Sequence, residues 1–70
     1  MDMGLSFGEC EHEGDMNTYI DDLHKSGASV LEYEIDEDEE EGTVQIVIDD
    51  LSEFLAKFRK TESFGFCNLA

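Results

Sequence analysis

Two segments of alternating polarity, residues 29–35 and 43–49, flank the most acidic stretch of the chain. Because successive residues of a β-strand point to opposite faces, each segment is predicted to be a strand with one buried face. Their apolar members are Leu31, Tyr33 and Ile35 in the first segment and Val44, Ile46 and Ile48 in the second. Gly42 offers the connection a residue free to adopt positive φ, so the two strands are predicted to form a β-hairpin.

An amphipathic helix is predicted directly after the second strand, in "DDLSEFLAKFRK". Its apolar residues fall at i, i+3, i+4 and i+7: Leu51, Phe54, Leu55 and Phe58. Asp50 is the predicted N-cap, with Glu53 three residues later as the acid of a capping box. The cations near the end of the segment are favoured by the negative end of the helix dipole.

A first, shorter helix is predicted in "MNTYIDDLHKSG", because Met16, Ile20 and Leu23 recur at helical spacing. Asp15, Asn17 or Thr18 is its predicted cap. Gly27 is its predicted C-terminal stop.

Short strands are predicted at both ends of the chain. Leu5 and Phe7 alternate with polar or small residues near the start, and Phe64 and Phe66 do so near the end.

The resulting order, β-α-β-β-α-β, predicts a ferredoxin-like α+β fold: an antiparallel sheet with two helices on one face, in a single domain of residues 1–70. The first and last strands are then antiparallel neighbours. Pairing Phe7 with Phe66 sets Cys67 opposite Ser6 and keeps Cys10 too far from Cys67 for a disulfide.

The net charge of the chain limits the kinds of partner that it is predicted to bind. The 70 residues carry 19 Asp and Glu against 4 Lys and Arg, a formal charge of −15. Such a field repels nucleic acid and anionic membranes and attracts basic surfaces, so neither direct nucleic-acid binding nor membrane binding is predicted. The N-terminus lacks the basic start and apolar centre of a signal peptide, and two cysteines are too few for a disulfide scaffold, which predicts a cytoplasmic protein.

No pattern in the sequence indicates catalysis, and no catalytic residue, cofactor or metal is predicted. Zinc could use Cys10, His12, His24 and Cys67, but their spacing is not the tight paired spacing of structural zinc sites. The acids of "DEDEEEG" fit an EF-hand in neither possible frame, because position 12 falls on Val47 or Ile48 instead of Glu.

Acidic residues are therefore the candidate partner-binding site. They comprise the six consecutive acids of the connection and acids on three neighbouring elements: Glu32, Glu34, Asp36, Glu37, Asp38, Glu39, Glu40, Glu41, Asp49, Asp50, Glu53, Asp21 and Asp22. Residues two apart on a strand lie about 6.8 Å apart, close to the phosphate spacing along one DNA strand. A hairpin with carboxylates on one face is thus predicted to fit a phosphate-binding groove.

In size, charge and predicted architecture the chain resembles the small phage-encoded inhibitors that act as DNA mimics, notably anti-CRISPR proteins. That resemblance implies an inhibitor that occupies the nucleic-acid-binding or PAM-reading cleft of a bacterial CRISPR nuclease complex. The implied partner is the basic surface of a nucleic-acid-binding protein, a CRISPR effector.

Two other functions remain open on the sequence: an immunity or antitoxin-type protein that caps a basic toxin, and a small metal- or ligand-binding domain. A monomer is favoured over a dimer, because the acids of the edge strand oppose its pairing with a second copy.

Overall fold

The computed structural model describes residues 1–68, and its elements follow the predicted order. The strands are β1 (Asp2–Gly8), β2 (Ala28–Asp36), β3 (Glu41–Ile48) and β4 (Cys67–Asn68). The helices are α1 (Glu13–Lys25) and α2 (Leu51–Phe58), and a 3₁₀ helix (Glu62–Phe66) precedes β4.

The strands form one antiparallel sheet in the order β2-β3-β1-β4, which is the ferredoxin-like arrangement and confirms the predicted fold class. Both helices pack on one face of it. The Phe7 ring on β1 stacks on Tyr19 of α1 at a centroid distance of 4.5 Å and meets Phe58 of α2 edge-on at 6.3 Å. We call the face away from the helices the open face.

The core lies between the sheet and the two helices. Its completely buried apolar side chains come from β1, β3 and the two helices: Leu5, Phe7, Met16, Leu23, Val44, Ile46, Ile48, Phe54 and Phe58. The alternation predicted for β1 and β3 is confirmed, and so is the helical stripe of α2.

Asp50 is the N-cap of α2, as predicted, but within residues 1–68 no hydrogen bond joins the predicted capping-box acid, Glu53, to the Asp50 N–H. The Asp50 side chain accepts a hydrogen bond from the Glu53 N–H at 3.1 Å. The Glu53 carboxylate pairs with Lys57 at 2.9 Å, one turn further along the helix.

The predicted face of β2 is wrong at Leu31. A β-bulge between Val30 and Glu32 leaves Leu31 without a cross-strand partner, and its side chain is 61% exposed. The extra residue shifts the alternation by one position, so Val30 and Tyr33, which are three residues apart, both face the core side.

Gly42 has a different role from the one predicted. The hairpin turn spans residues 37–40, and its positive φ, 54°, belongs to Glu40. Gly42 is a buried residue of β3, where an added Cβ would lie 2.5 Å from Cε of Met16 and 2.9 Å from Sγ of Cys10. Glycine is therefore required for close packing and not for the turn.

Helix α1 begins earlier than predicted. Its N-cap is His12, whose Nδ1 accepts a hydrogen bond from the Gly14 N–H at 3.1 Å, so the prediction of Asp15, Asn17 or Thr18 is wrong. The predicted stop is confirmed, because Gly27 follows the last turn with a φ of 96°.

The predicted last strand is also wrong in part. Residues 62–66 form the 3₁₀ helix, so β4 is reduced to two residues. Its register places Cys67 opposite Phe7 and Asn68 opposite Ser6, one residue away from the predicted pairing of Phe7 with Phe66. Neither helix of the described chain has the length and hydropathy needed to span a membrane.

Candidate acidic interaction surface

The hairpin between β2 and β3 gathers the acids Asp36 to Glu41 at one end of the sheet. Asp36 pairs with Glu41 across the base of the hairpin. The Asp36 carboxylate accepts hydrogen bonds from the N–H groups of Asp38 and Glu39, at 3.1 and 3.3 Å. The tip is therefore an ordered turn in which one acid holds the backbone and its neighbours face solvent.

Two further acids extend this charge along the open face. Glu32 lies opposite Gln45 and Glu34 lies opposite Thr43, and directly opposed residues of a sheet share one face. Both glutamates are exposed. They continue the line of Asp36 at the strand repeat of about 6.8 Å.

Acids from the loop before α1 and from the first residue of that helix join the hairpin, and the sequence reasoning missed them. The Cys10 N–H donates to the Glu40 carbonyl oxygen at 2.9 Å, which places the loop carrying Glu9 and Glu11 beside the tip. Glu13 accepts a hydrogen bond from the Tyr33 hydroxyl at 2.8 Å, and this bond raises the pKa of Tyr33. The acidic run "ECEHEGD" was the available signal, but its position depends on the pairing of β1 with β3.

We call this combined set the hairpin surface. Its residues are Glu9, Glu11, Glu13, Glu32, Glu34 and Asp36 to Glu41.

Several of the predicted acids bind other side chains of the same molecule. Glu41 accepts a hydrogen bond from the Ser6 hydroxyl, and Asp22 accepts one from the buried Ser63. Asp21 pairs with Lys25 at 2.8 Å, and this contact raises the pKa of Lys25.

Other predicted acids have no such contact. Within residues 1–68 no side-chain hydrogen bond or ion pair holds these carboxylates: Glu32, Glu34, Glu37, Asp38, Glu39, Glu40 and Asp49.

The structure places five of the predicted acids away from the hairpin. Asp49, Asp50 and Glu53 follow the far end of β3, roughly 24 Å from the hairpin by the rise of an eight-residue strand. Asp21 and Asp22 belong to the second half of α1, away from the end of the helix that contacts the hairpin. One continuous patch through all thirteen predicted residues is therefore not formed.

No Lys or Arg lies on the strands of the described chain. Lys25 ends α1, Lys57 lies on α2, and Arg59 and Lys60 follow that helix. Because Lys25 and Lys57 are paired with acids of their own helices, the hairpin surface has no internal counter-ion from Lys or Arg.

Both cysteines are free thiols, and burial raises the pKa of each, which lowers the fraction present as thiolate. Cys10 is completely buried. Its pKa is raised mainly by desolvation, and to a smaller extent by the negative charges of Asp15 and Glu13. Burial raises the pKa of the Cys67 thiol to about 11.

We expect iodoacetamide to alkylate Cys67 slowly at pH 8, about tenfold more slowly than an unhindered cysteine peptide. The smaller thiolate fraction is partly offset by the higher nucleophilicity of a more basic thiolate. The rate should keep rising with pH up to about 11. Mass spectrometry measures the alkylation rate, with the urea-unfolded chain as control. Rapid labelling of Cys67 in the folded protein at pH 8 would contradict the raised pKa.

The histidines and cysteines of the zinc alternative do not gather into a site. Over residues 1–68, no three His, Cys, Asp or Glu side chains converge in a way that could hold a metal ion. His12 is instead used as the helix cap, with Nε2 3.6 Å from Asp15.

Comparison of the chain with protein-family models, with curated proteins and with solved structures finds no match.

Proposed function

We propose that this protein is a DNA-mimicking inhibitor of the anti-CRISPR type, which occupies the nucleic-acid-binding or PAM-reading cleft of a bacterial CRISPR nuclease complex. The observation that supports the proposal is the hairpin surface: carboxylates on an ordered hairpin and on the open face of β2, without neighbouring Lys or Arg.

Carboxylates carried by an ordered strand suit a phosphate-binding groove for an energetic reason. The strand already fixes the backbone, so forming charge-assisted hydrogen bonds to Lys or Arg costs only the rotamer freedom of the glutamate side chains. Glu32 and Glu34 are of this kind, because each belongs to a residue pair of the β2–β3 ladder. The acids of the turn supply the long-range field that accelerates encounter with a basic cleft.

The test is competition with target DNA for purified guide-loaded CRISPR effector complexes. We expect the wild-type protein to displace a PAM-containing duplex from at least one complex, with affinity falling at least tenfold between about 0.05 and 0.5 M salt, because screening weakens the charge pairs. The double variant Glu32→Lys/Glu34→Lys should lose about a hundredfold in affinity.

The matched control is Asp2→Lys/Glu62→Lys, which changes the net charge equally at two exposed positions away from the hairpin surface. It should retain most of the affinity. Equal losses in both variants would show that net charge alone acts, and salt-independent binding would refute mimicry. Circular dichroism of each variant verifies folding.

A further inference from the structure

The outer edge of β2 has no neighbouring strand among residues 1–68, because β2 stands at the end of the sheet order. An edge strand presents unpaired N–H and C=O groups that another extended chain can use. The opposite edge of the sheet is formed by the two-residue β4.

The backbone groups that point outward from β2 follow from the ladder of β1 and β3. The Met1 ammonium donates to the Ile48 carbonyl at 2.9 Å, and the Ile48 N–H donates to the Met1 carbonyl at 2.8 Å. Ile48 and every second residue of β3 before it therefore direct their backbone groups to β1. Tyr33 and Ile35 stand opposite such positions, so their own N–H and C=O groups point away from β3.

The bulge at Leu31 limits the usable edge to Glu32–Asp36, where pairing with β3 is regular. This segment is roughly 17 Å long at the rise of a strand. No backbone hydrogen bond to Tyr33 or Ile35 outside the ladder is found in the described chain. Two residues with both groups free offer an added strand four hydrogen bonds.

The side chains of this segment specify the chemistry of an added strand. Glu32, Glu34 and Asp36 lie on the open face, while Tyr33 and Ile35 are half-buried on the helix side. Opposite charges facing each other across strands stabilise a pair, and like charges oppose it. A complementary strand therefore alternates Lys or Arg with apolar residues.

We propose that a strand of this alternating basic and apolar pattern, belonging to the basic partner, adds to β2 along Glu32–Asp36. The basic character of that partner rests on the proposed function. Strand addition gives main-chain hydrogen bonds for affinity and alternate side chains for specificity. A second copy of this chain is disfavoured as occupant at neutral pH, because its own acids would face Glu32 and Glu34.

The experiment measures amide hydrogen exchange by NMR with a seven-residue peptide in which Lys alternates with Val. We expect the Tyr33 and Ile35 amides to exchange rapidly in the free protein and at least tenfold more slowly with peptide bound. A peptide with Glu in place of Lys should give no protection.

A matched pair of variants isolates the backbone contribution. Ile35→Pro removes an outward N–H without removing a ladder hydrogen bond, whereas Ile35→Ala shortens the side chain but keeps the donor. Peptide affinity should fall about fivefold further in the proline variant than in the alanine variant. Exchange in the wild-type protein tests the proposal even if the proline variant unfolds.

Peptide binding that shifts the resonances of residues 37–40 without protecting Tyr33 and Ile35 would overturn strand addition and leave the proposed function standing. Absence of peptide binding at low salt would also overturn it. Protection that appears without peptide and grows with protein concentration would identify a second copy instead. The proposed function is tested separately: it fails if the protein does not displace target DNA in the competition experiment.

Discussion

Replacing Phe58 by alanine is expected to lower the free energy of unfolding by about 3–5 kcal/mol, the usual range for a fully buried phenylalanine. Phe58 has no exposed surface and contacts aromatic rings from three other positions. It stacks on Phe54 at 5.2 Å and meets Phe7 and Phe64 edge-on at 6.3 and 6.0 Å. Its removal leaves a cavity at the junction of β1, α2 and the 3₁₀ helix.

A loss of this size is a large fraction of the total stability expected for a chain of 70 residues. Typical values per residue give a total stability of roughly 4–10 kcal/mol. Urea unfolding followed by circular dichroism should therefore show a midpoint lowered by about 3 M, or no folded baseline. Phe66→Ala is the control, because that ring is 39% exposed, and its loss should be below about 1 kcal/mol. Equal effects of the two substitutions would be inconsistent with the packing described.

Gly42→Ala is expected to destabilise the protein by about 3 kcal/mol, the upper end of the range for overpacking a core. The new methyl group would lie 2.5 Å from Cε of Met16 and 2.9 Å from Sγ of Cys10. Both neighbours are completely buried, so neither can move into solvent. The conformation of Gly42 contributes nothing to this loss, because its φ is in the ordinary range.

Control variants separate steric overlap at Gly42 from the general effect of replacing a glycine by alanine. Gly65→Ala should leave the stability within about 0.5 kcal/mol, because nothing lies within 4 Å of an added methyl group there. Met16→Leu removes the nearest atom at modest cost, so the Gly42→Ala/Met16→Leu double variant should lose less than the sum of the two single losses. Additive losses in the denaturation experiment would contradict the steric explanation.

The parts of the fold that the sequence predicted are those governed by periodicity. The alternation of Val44, Ile46 and Ile48 and the helical stripe ending at Phe58 each span enough residues to determine which face is buried. The strand order then followed from connecting these elements compactly.

Failures of prediction arose where a single local contact determines the structure. A pattern of period two cannot reveal the bulge at Leu31. The one added residue reverses which face the side chains before it occupy, relative to those after it. His12 was overlooked because imidazole is an uncommon cap, and Phe64 and Phe66 alternate in sequence although their backbone is helical.

The sequence identified most residues of the candidate site but not how they are arranged in space. The sequence identified the acids of the hairpin and of β2, and these lie together at one end of the sheet. It grouped Asp49 and Asp50 with them, because proximity along the chain does not reveal that β3 separates the two sets. It omitted Glu9 and Glu11, whose position depends on a hydrogen bond between residues 10 and 40.

The position of β1 between β3 and β4 determines when this protein can fold during synthesis. β1 leaves the ribosome first, yet its nearest long partner is complete only at Ile48, about 40 residues later. At about 5–20 residues per second, Leu5 and Phe7 remain without their sheet for several seconds. During that interval we expect the acids around them to repel other nascent chains, so that the charge proposed to bind a partner also opposes aggregation of the unfinished core.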